Sequence, residues 1–276
     1  MPTLSVITGA YNAADCKYFA RSVMSVLEQT FSDFEFIVCD DGSTDATYTK
    51  LREYADKDPR IKLIRNEKNL GLVETLNKCL AIAEGKYIAR HDCDDYNDPT
   101  RFEKQITYLE EHPDIALLGT AVYLFDDSGV WDRETMPRRV ENRDFLFNNP
   151  YKHGSVTFRR EALERAGGYR VAKETVRNED YDLFMRIQTF ARGENLEEPL
   201  YYFCEDGVAR KRRKYRYRIN EARVRAKGFK ALGLMPRGFL YVIKPLIVGL
   251  IPSFILTRLQ KRRRKKKNNT EGSDTD

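Results

Sequence analysis

Up to about residue 90, the hydrophobic positions alternate between two spacings. Short apolar runs, Leu4-Ser5-Val6-Ile7-Thr8, Phe34-Glu35-Phe36-Ile37-Val38-Cys39, Ile61 to Ile64 and Lys86-Tyr87-Ile88-Ala89-Arg90, read as buried strands. Between them apolar residues recur every three or four positions. Phe19, Val23, Val26 and Leu27 predict a helix over about Asp15 to Glu28, and Val73 to Ala83 predicts another that ends at Gly85. Ser43 or Thr44 is a candidate cap for a helix through about Ala55. Strands alternating with helices predict a doubly wound, parallel α/β sheet.

Beyond Pro99, a suitable N1 residue for a helix to about Glu111, the rhythm changes. Ile115 to Phe125 and Tyr151 to Phe158 are β-prone. Arg160 to Ala166 predicts a short helix stopped by Gly167-Gly168, and Tyr181 to Phe190 an amphipathic one. These patterns divide the chain into a body over residues 1–209, with halves 1–98 and 99–209, and a segment 210–267. Polar residues 268–276 are expected to be disordered.

Charge sharpens that division. The 276 residues carry a net +6, yet residues 210–276 hold 21 Lys and Arg against 4 Asp and Glu, whereas residues 1–209 hold 27 against 38. An acidic body with a basic tail suggests that the tail meets a polyanion, a membrane surface or nucleic acid. Phe239 to Leu256 is apolar apart from Lys244 and Ser253, is broken by Pro245 and Pro252, and precedes eight Lys or Arg in residues 258–267. Two prolines and a lysine argue against a straight span. A buried core segment is one reading; a helical tail lying on or dipping into an anionic membrane through 239–267 is the other, and is favoured by the basic flanks. Five widely spaced cysteines without a Cys-x-x-Cys pair suggest a reducing compartment. The start Met1-Pro2-Thr3 lacks the features of a signal peptide, so the expected location is the cytoplasmic face of the membrane.

Candidate chemistry lies where the strands end. Asp40-Asp41-Gly42-Ser43-Thr44-Asp45 follows the second strand directly; it suits a turn and helix cap, or a carboxylate that accepts from a nucleobase or ribose. Asp92-Cys93-Asp94-Asp95 follows the fourth. Three carboxylates in four residues form either a solvated loop or hard oxygen ligands for Mg²⁺ or Mn²⁺ shared with substrate phosphates. Glu179-Asp180 opens a helix, where acidic residues complement the dipole or take a proton from a hydroxyl. His153 in His153-Gly154-Ser155 is a satisfied structural histidine or a site residue. Gly-x-Gly-x-x-Gly, P-loop and His-Glu-x-x-His motifs are absent from the sequence.

In order, Ser5-Val6-Ile7 with Tyr11-Asn12, Ser22 to Gln29-Thr30-Phe31, Asp40 to Asp45, Asn69-Leu70-Gly71-Leu72, Ala89 to Asp95, His153-Gly154-Ser155-Val156 and Glu179-Asp180 closely resemble glycosyltransferase family 2 over about residues 3–205. The resemblance implies a GT-A fold, a Rossmann-like nucleotide-sugar-binding α/β domain with a mixed, mainly parallel sheet flanked by helices. It implies transfer of a sugar from a nucleotide-diphosphate donor with inversion at the anomeric carbon. Asp41 would bind the nucleobase, supported by Asp40, with Thr8, Gly9, Ala10 and Tyr11 lining the nucleoside pocket. Asp92 and Asp94 would form the Asp-x-Asp pair, Asp94 holding the divalent cation and Asp92 the ribose or metal-bound waters. Asp180 would be the catalytic base, with Asp95, Arg90, His153 and Glu179 as accessory residues. Gly9 departs from the proline common at that position, which leaves the nucleobase open.

With the tail, these implications predict a glycan or lipid-linked acceptor presented at a membrane. Two other classes compete. A nucleotidyltransferase making an activated sugar would carry a glycine-rich basic loop near its start, and Thr8 to Asp15 is not one. A nucleic-acid-binding protein would use the basic tail but leave the acidic clusters without a role. A processive synthase is disfavoured because Trp131, the single tryptophan, lies outside any Gln-x-x-Arg-Trp motif.

Overall fold

The computed structural model describes residues 1–205 and 215–251. Four strands, β1 (Leu4–Ala10), β2 (Phe34–Asp40), β3 (Ile61–Arg65) and β4 (Tyr87–Arg90), lie parallel in the order β3-β2-β1-β4. Because they are parallel, their carboxyl ends share one edge. Ala10 pairs with Asp40 and Ile7 with Arg90, which aligns the Asp40 and Asp92 loops beside the end of β1.

The sheet continues through β8 (Thr157–Arg159), β6 (Ile115–Asp126), β9 (Arg192–Cys204) and β5 (Tyr96–Asn97), with β7 (Gly129–Glu134) on β6. Here antiparallel pairings dominate, although β6 and β9 run parallel. Helices α1 (Phe19–Leu27), α2 (Thr47–Ala55), α3 (Leu72–Ile82), α4 (Arg101–Glu111), α5 (Arg160–Ala166), α6 (Glu179–Gln188), α7 (Tyr215–Ala231) and α8 (Phe239–Leu250) complete the described residues.

Strand alternation sorts the core onto two faces. Val6, Phe36 and Val38 point to the face covered by Phe19, Val23 and Val26 of α1 and Phe102, Ile106 and Leu109 of α4. Their neighbours Ile7, Ile37 and Cys39 face Leu76 and Cys79 of α3, in a core that reaches Leu183 and Phe184 of α6. Val224, Phe229 and Leu232 join this second core. Thus, within the stretch 210–267 expected to meet a membrane, α7 is packed on the body. Residues 206–214 and 252–276, including most of the basic runs and the expected disordered end, lie outside the described residues.

Neither Ser43 nor Thr44 caps α2: its first residue is Thr47, whose N–H is held by Asp45 Oδ1 at 2.9 Å. Residues Tyr151 to Phe158 are not one strand, because His153–Ser155 forms a 3-10 turn, closed as Ser155 N–H and Oγ both donate to the Lys152 carbonyl at 2.9 Å. Finally, β9 was not legible: its Glu194-Asn195-Leu196-Glu197-Glu198-Pro199 is poor in strand formers, and pairing with β6 over a dozen residues overrides that preference.

Candidate active site

The first two loops at the common strand edge are stitched together. Asn12 N–H donates to Ser43 Oγ at 3.0 Å, its Oδ1 accepts from Thr44 N–H at 2.9 Å, and Ala13 and Ala14 N–H donate to Thr47 Oγ1 at 2.7 and 2.9 Å. The hydroxyls of Ser43 and Thr47 therefore fix the shape of this rim. Gly42 has φ +66°, and a Cβ there would lie 2.4 Å from the Lys68 backbone, so glycine lets the 68–71 loop close on the turn.

That closure determines what the aspartates do. Asp41 is buried; Oδ1 accepts from Asn66 Nδ2 and Leu70 N–H, and Oδ2 from Gly71 N–H, each at 2.8 Å. Asp40, also buried, accepts from Arg65 Nε at 3.0 Å and Ser43 N–H at 3.2 Å. Beside them Thr8 donates to the His91 carbonyl at 2.9 Å, and the Ala10 carbonyl accepts from Asp41 N–H at 2.8 Å. Gly9 lies under Thr75 and Leu72 of α3, while Tyr11 projects outward, half exposed. The residues expected to line a nucleoside pocket thus share one edge.

The second cluster separates into outward and inward carboxylates. Asp94 is exposed and Asp92 half-buried. Asp95 is buried, accepting from the Tyr201 hydroxyl at 2.8 Å and from Cys204 N–H at 2.7 Å, and burial followed by Asp94 and Asp92 pushes its carboxyl well above the usual range. It braces the loop against β9. The Tyr201 hydroxyl oxygen also accepts from Asp92 N–H at 3.2 Å. Gly154 makes room for this hydroxyl: a Cβ there would lie 2.1 Å from it.

Arg90, wholly buried, donates to Asp92 Oδ1 and, at 3.4 Å, to the Ile7 carbonyl. A second buried guanidinium, Arg101, bonds Asn97 Oδ1 at 2.6 Å and Gln105 Oε1 at 3.0 Å; burial lowers its pKa to about 10. His153 is paired with the Tyr169 hydroxyl at 2.7 Å, and burial, then Arg90, holds its pKa well below 6.5. It is a neutral residue packed against Tyr169 and Phe184.

The third cluster opens α6. Burial raises the Asp180 carboxyl above its ordinary value, opposed by hydrogen bonds from Tyr181 N–H and Asn149 Nδ2, both 2.8 Å, while Asp92 adds to the rise. Glu179 is pushed up to about 7 by burial and by Asp180. Burial raises the Tyr169 hydroxyl, Arg90 opposes the rise, and Asp180, Glu179 and Asp92 add to it, so the charges of the second and third clusters act on one ring. A carboxylate kept partly desolvated opposite an acidic loop is suited to removing a proton from a hydroxyl.

Among the described residues no group of three or more His, Cys, Asp or Glu is disposed to hold a metal ion. The outward pair Asp92 and Asp94, with Asp92 half-engaged by Arg90, fits a hard cation that takes one or two carboxylates and completes its shell with phosphate oxygens and water. Sequence reasoning missed Asn149, Tyr169, Arg101 and Tyr201. Only the tyrosine-rich Tyr201-Tyr202 and the adjacency of Asn148-Asn149 to a turn offered any signal.

The family model described as glycosyl transferase family 2 matches residues 5–167. The chain is 39% identical over 264 residues to the putative glycosyltransferase EpsE of Bacillus subtilis, covering 95% of this chain and 94% of that one. It is 30% identical over 251 residues to WfaP of Escherichia coli, a UDP-Glc:α-D-GlcNAc-diphosphoundecaprenol β-1,3-glucosyltransferase, covering 90% and 95%. Residues 1–349 of S. aureus TarS, solved with UDP-GlcNAc, superpose with a TM-score of 0.69 at 21% identity, covering 88% of this chain and 74% of that one.

Proposed function

The chain belongs to glycosyl transferase family 2, and from that premise we propose that it moves a sugar from a nucleoside-diphosphate donor to a hydroxyl of a membrane-presented, lipid-linked glycan, with inversion. The observation that carries the reading is Asp180: a half-buried carboxylate, raised above its ordinary value by desolvation, held by Asn149 and sensing the charge of Asp92. Family membership moves the reading away from sugar-nucleotide synthesis and from nucleic-acid binding.

In this reading the nucleoside lies against Thr8, Gly9, Ala10 and Tyr11. Asp41 Oδ2, which accepts one hydrogen bond where Oδ1 accepts two, has capacity for a nucleobase N–H. Asp40 holds the turn through Arg65 and Ser43. The diphosphate is directed to Asp92 and Asp94, where a bound Mn²⁺ or Mg²⁺ would offset the charge of the leaving group. Arg90 fixes the Asp92 carboxylate. Asp180 takes the proton of the acceptor hydroxyl, that oxygen attacks the anomeric carbon, and the sugar-phosphate bond breaks on the opposite side. One displacement inverts the configuration and needs no protein nucleophile. Support for the donor comes from TarS, solved with UDP-GlcNAc, and for the acceptor from WfaP, which acts on a diphosphoundecaprenol-linked sugar. A lipid-linked acceptor suits work at the cytoplasmic membrane face through 239–267.

The experiment is a thermal-shift screen of the whole chain with UDP-, GDP-, dTDP- and CMP-sugars, with and without Mn²⁺. A cation-dependent shift with one nucleotide is expected, and Asp180→Asn should keep that shift while losing transfer. Near-parental turnover by Asp180→Asn removes the base assignment.

A further inference from the structure

The geometry points to one face of α8, together with Phe147, as the surface on which this protein docks to an anionic lipid bilayer, holding the acceptor side of the catalytic mouth against the lipid. This rests on the reading that the acceptor is membrane-presented.

Leu240, Ile247 and Leu250, spaced by seven and three residues, form one apolar stripe along α8, with Lys244 at its border. Leu240 is 75% exposed, Leu250 73%, Ile247 59% and the adjacent Phe239 54%. The opposite side is packed: Pro245 is buried, and a Cβ at Gly249 would lie 2.9 Å from Tyr215 and Arg218 of α7. The helix is therefore seated on the body with Leu240, Ile247 and Leu250 outward. Phe147 widens the patch; it is 53% exposed and meets Tyr241 edge-on, with ring centroids 5.4 Å apart.

Charge complementarity selects the occupant. Exposed Arg237 and Lys244 border the apolar stripe, and residues 258–267 that follow contain eight Lys or Arg. A rim of cations around inserted Leu, Ile and Phe matches an anionic headgroup layer over acyl chains. Among the described residues no helix is long and apolar enough to cross a membrane, so a surface-lying arrangement agrees with helix length.

The patch also joins the site. Three successive carbonyls of the segment carrying Phe147 are each held by a different helix: Phe145 by the Tyr181 hydroxyl of α6, Leu146 by Arg225 Nη1 of α7 at 3.0 Å, and Phe147 by Lys244 Nζ of α8 at 3.5 Å. Two residues further, Asn149 bonds Asp180. The lipid-facing edge and the Asp180 carboxylate are thus ends of one short strap.

The test is co-sedimentation of the whole chain with phosphatidylcholine vesicles, with and without phosphatidylglycerol, alongside donor binding in solution. The parent should sediment with the anionic vesicles only. The triple variant Leu240→Ser, Ile247→Ser, Leu250→Ser should bind them at least about tenfold more weakly. Lys244→Glu, a single exposed change, gives a second reading if the triple variant does not fold, and it should also weaken sedimentation. Equal binding by parent and folded variants overturns the inference. So does lipid-independent self-association of the parent that the same substitutions abolish, which would assign the face to a second copy. Vesicle binding without any nucleotide-sugar binding would remove the transferase reading while leaving the lipid surface in place; donor binding without vesicle binding does the reverse.

Discussion

Asn149 Nδ2 donates to Asp180 Oδ2 at 2.8 Å, and so supplies the side-chain hydrogen bond that stabilises the ionised form of a carboxylate otherwise driven toward its neutral form by burial. Removing the amide should raise the Asp180 pKa further. Asn149→Ala is therefore expected to move the acidic limb of the kcat–pH profile to higher pH while leaving the donor dissociation constant near the parental value. An unmoved limb would separate Asn149 from the ionisation that controls turnover.

Glu179 gives a stability signature. Its pKa rises from 4.5 to about 7 on folding, so the folded state favours the protonated carboxyl. Its contribution is most favourable below about pH 4.5 and is lost as pH climbs through about 7. Glu179→Gln should gain roughly 1–3 kcal/mol over the parent at pH 8 and little at pH 4. Denaturant melts at the two pH values measure this, and an equal gain at both would show that ionisation is not the cause.

Tyr201 and Gly154 act as a pair. Gly154→Ala places a methyl 2.1 Å from the Tyr201 oxygen and should expel the ring, unlatching Asp95 and the loop carrying Asp92 and Asp94. Tyr201→Phe keeps the ring but leaves the buried Asp95 carboxyl short of a donor, a loss of about 1–3 kcal/mol. Both variants should melt earlier, and the alanine variant should also bind donor more weakly in titration calorimetry.

Phe229 tests whether α7 is part of the catalytic body. It is fully buried among residues of the second core, so Phe229→Ala should cost about 3–5 kcal/mol. A chain ended at residue 209 should melt well below the full chain or fail to give a cooperative transition. A cooperative transition at the parental temperature would support the boundary at residue 209 expected from composition.

The sequence by itself determined the strand-helix alternation of residues 4–90 and the position of each acidic cluster at an element end. Both are local properties: side-chain periodicity reports which face is buried, and parallel connectivity brings the carboxyl ends of β1, β2 and β4 to one edge. Gly42 and Ser43 were legible as turn residues, although the partners that give them their roles lie in other loops. Tertiary structure decided the rest. Tyr201 meets Asp95 across 106 positions, and Asn149 meets Asp180 across 31. Neither pairing leaves a periodic trace, since a hydrogen bond between distant segments constrains only two positions. Strand β9 forms despite its acidic, proline-containing sequence because β6 supplies its partner backbone. The basic, weakly amphipathic α7 enters the core because Val224 and Phe229 find an apolar surface assembled by α6 and its neighbours. Local periodicity specified the elements of residues 4–90; the folded sheet turned Asp95 inward, left Asp94 outward, and set Asn149 on Asp180.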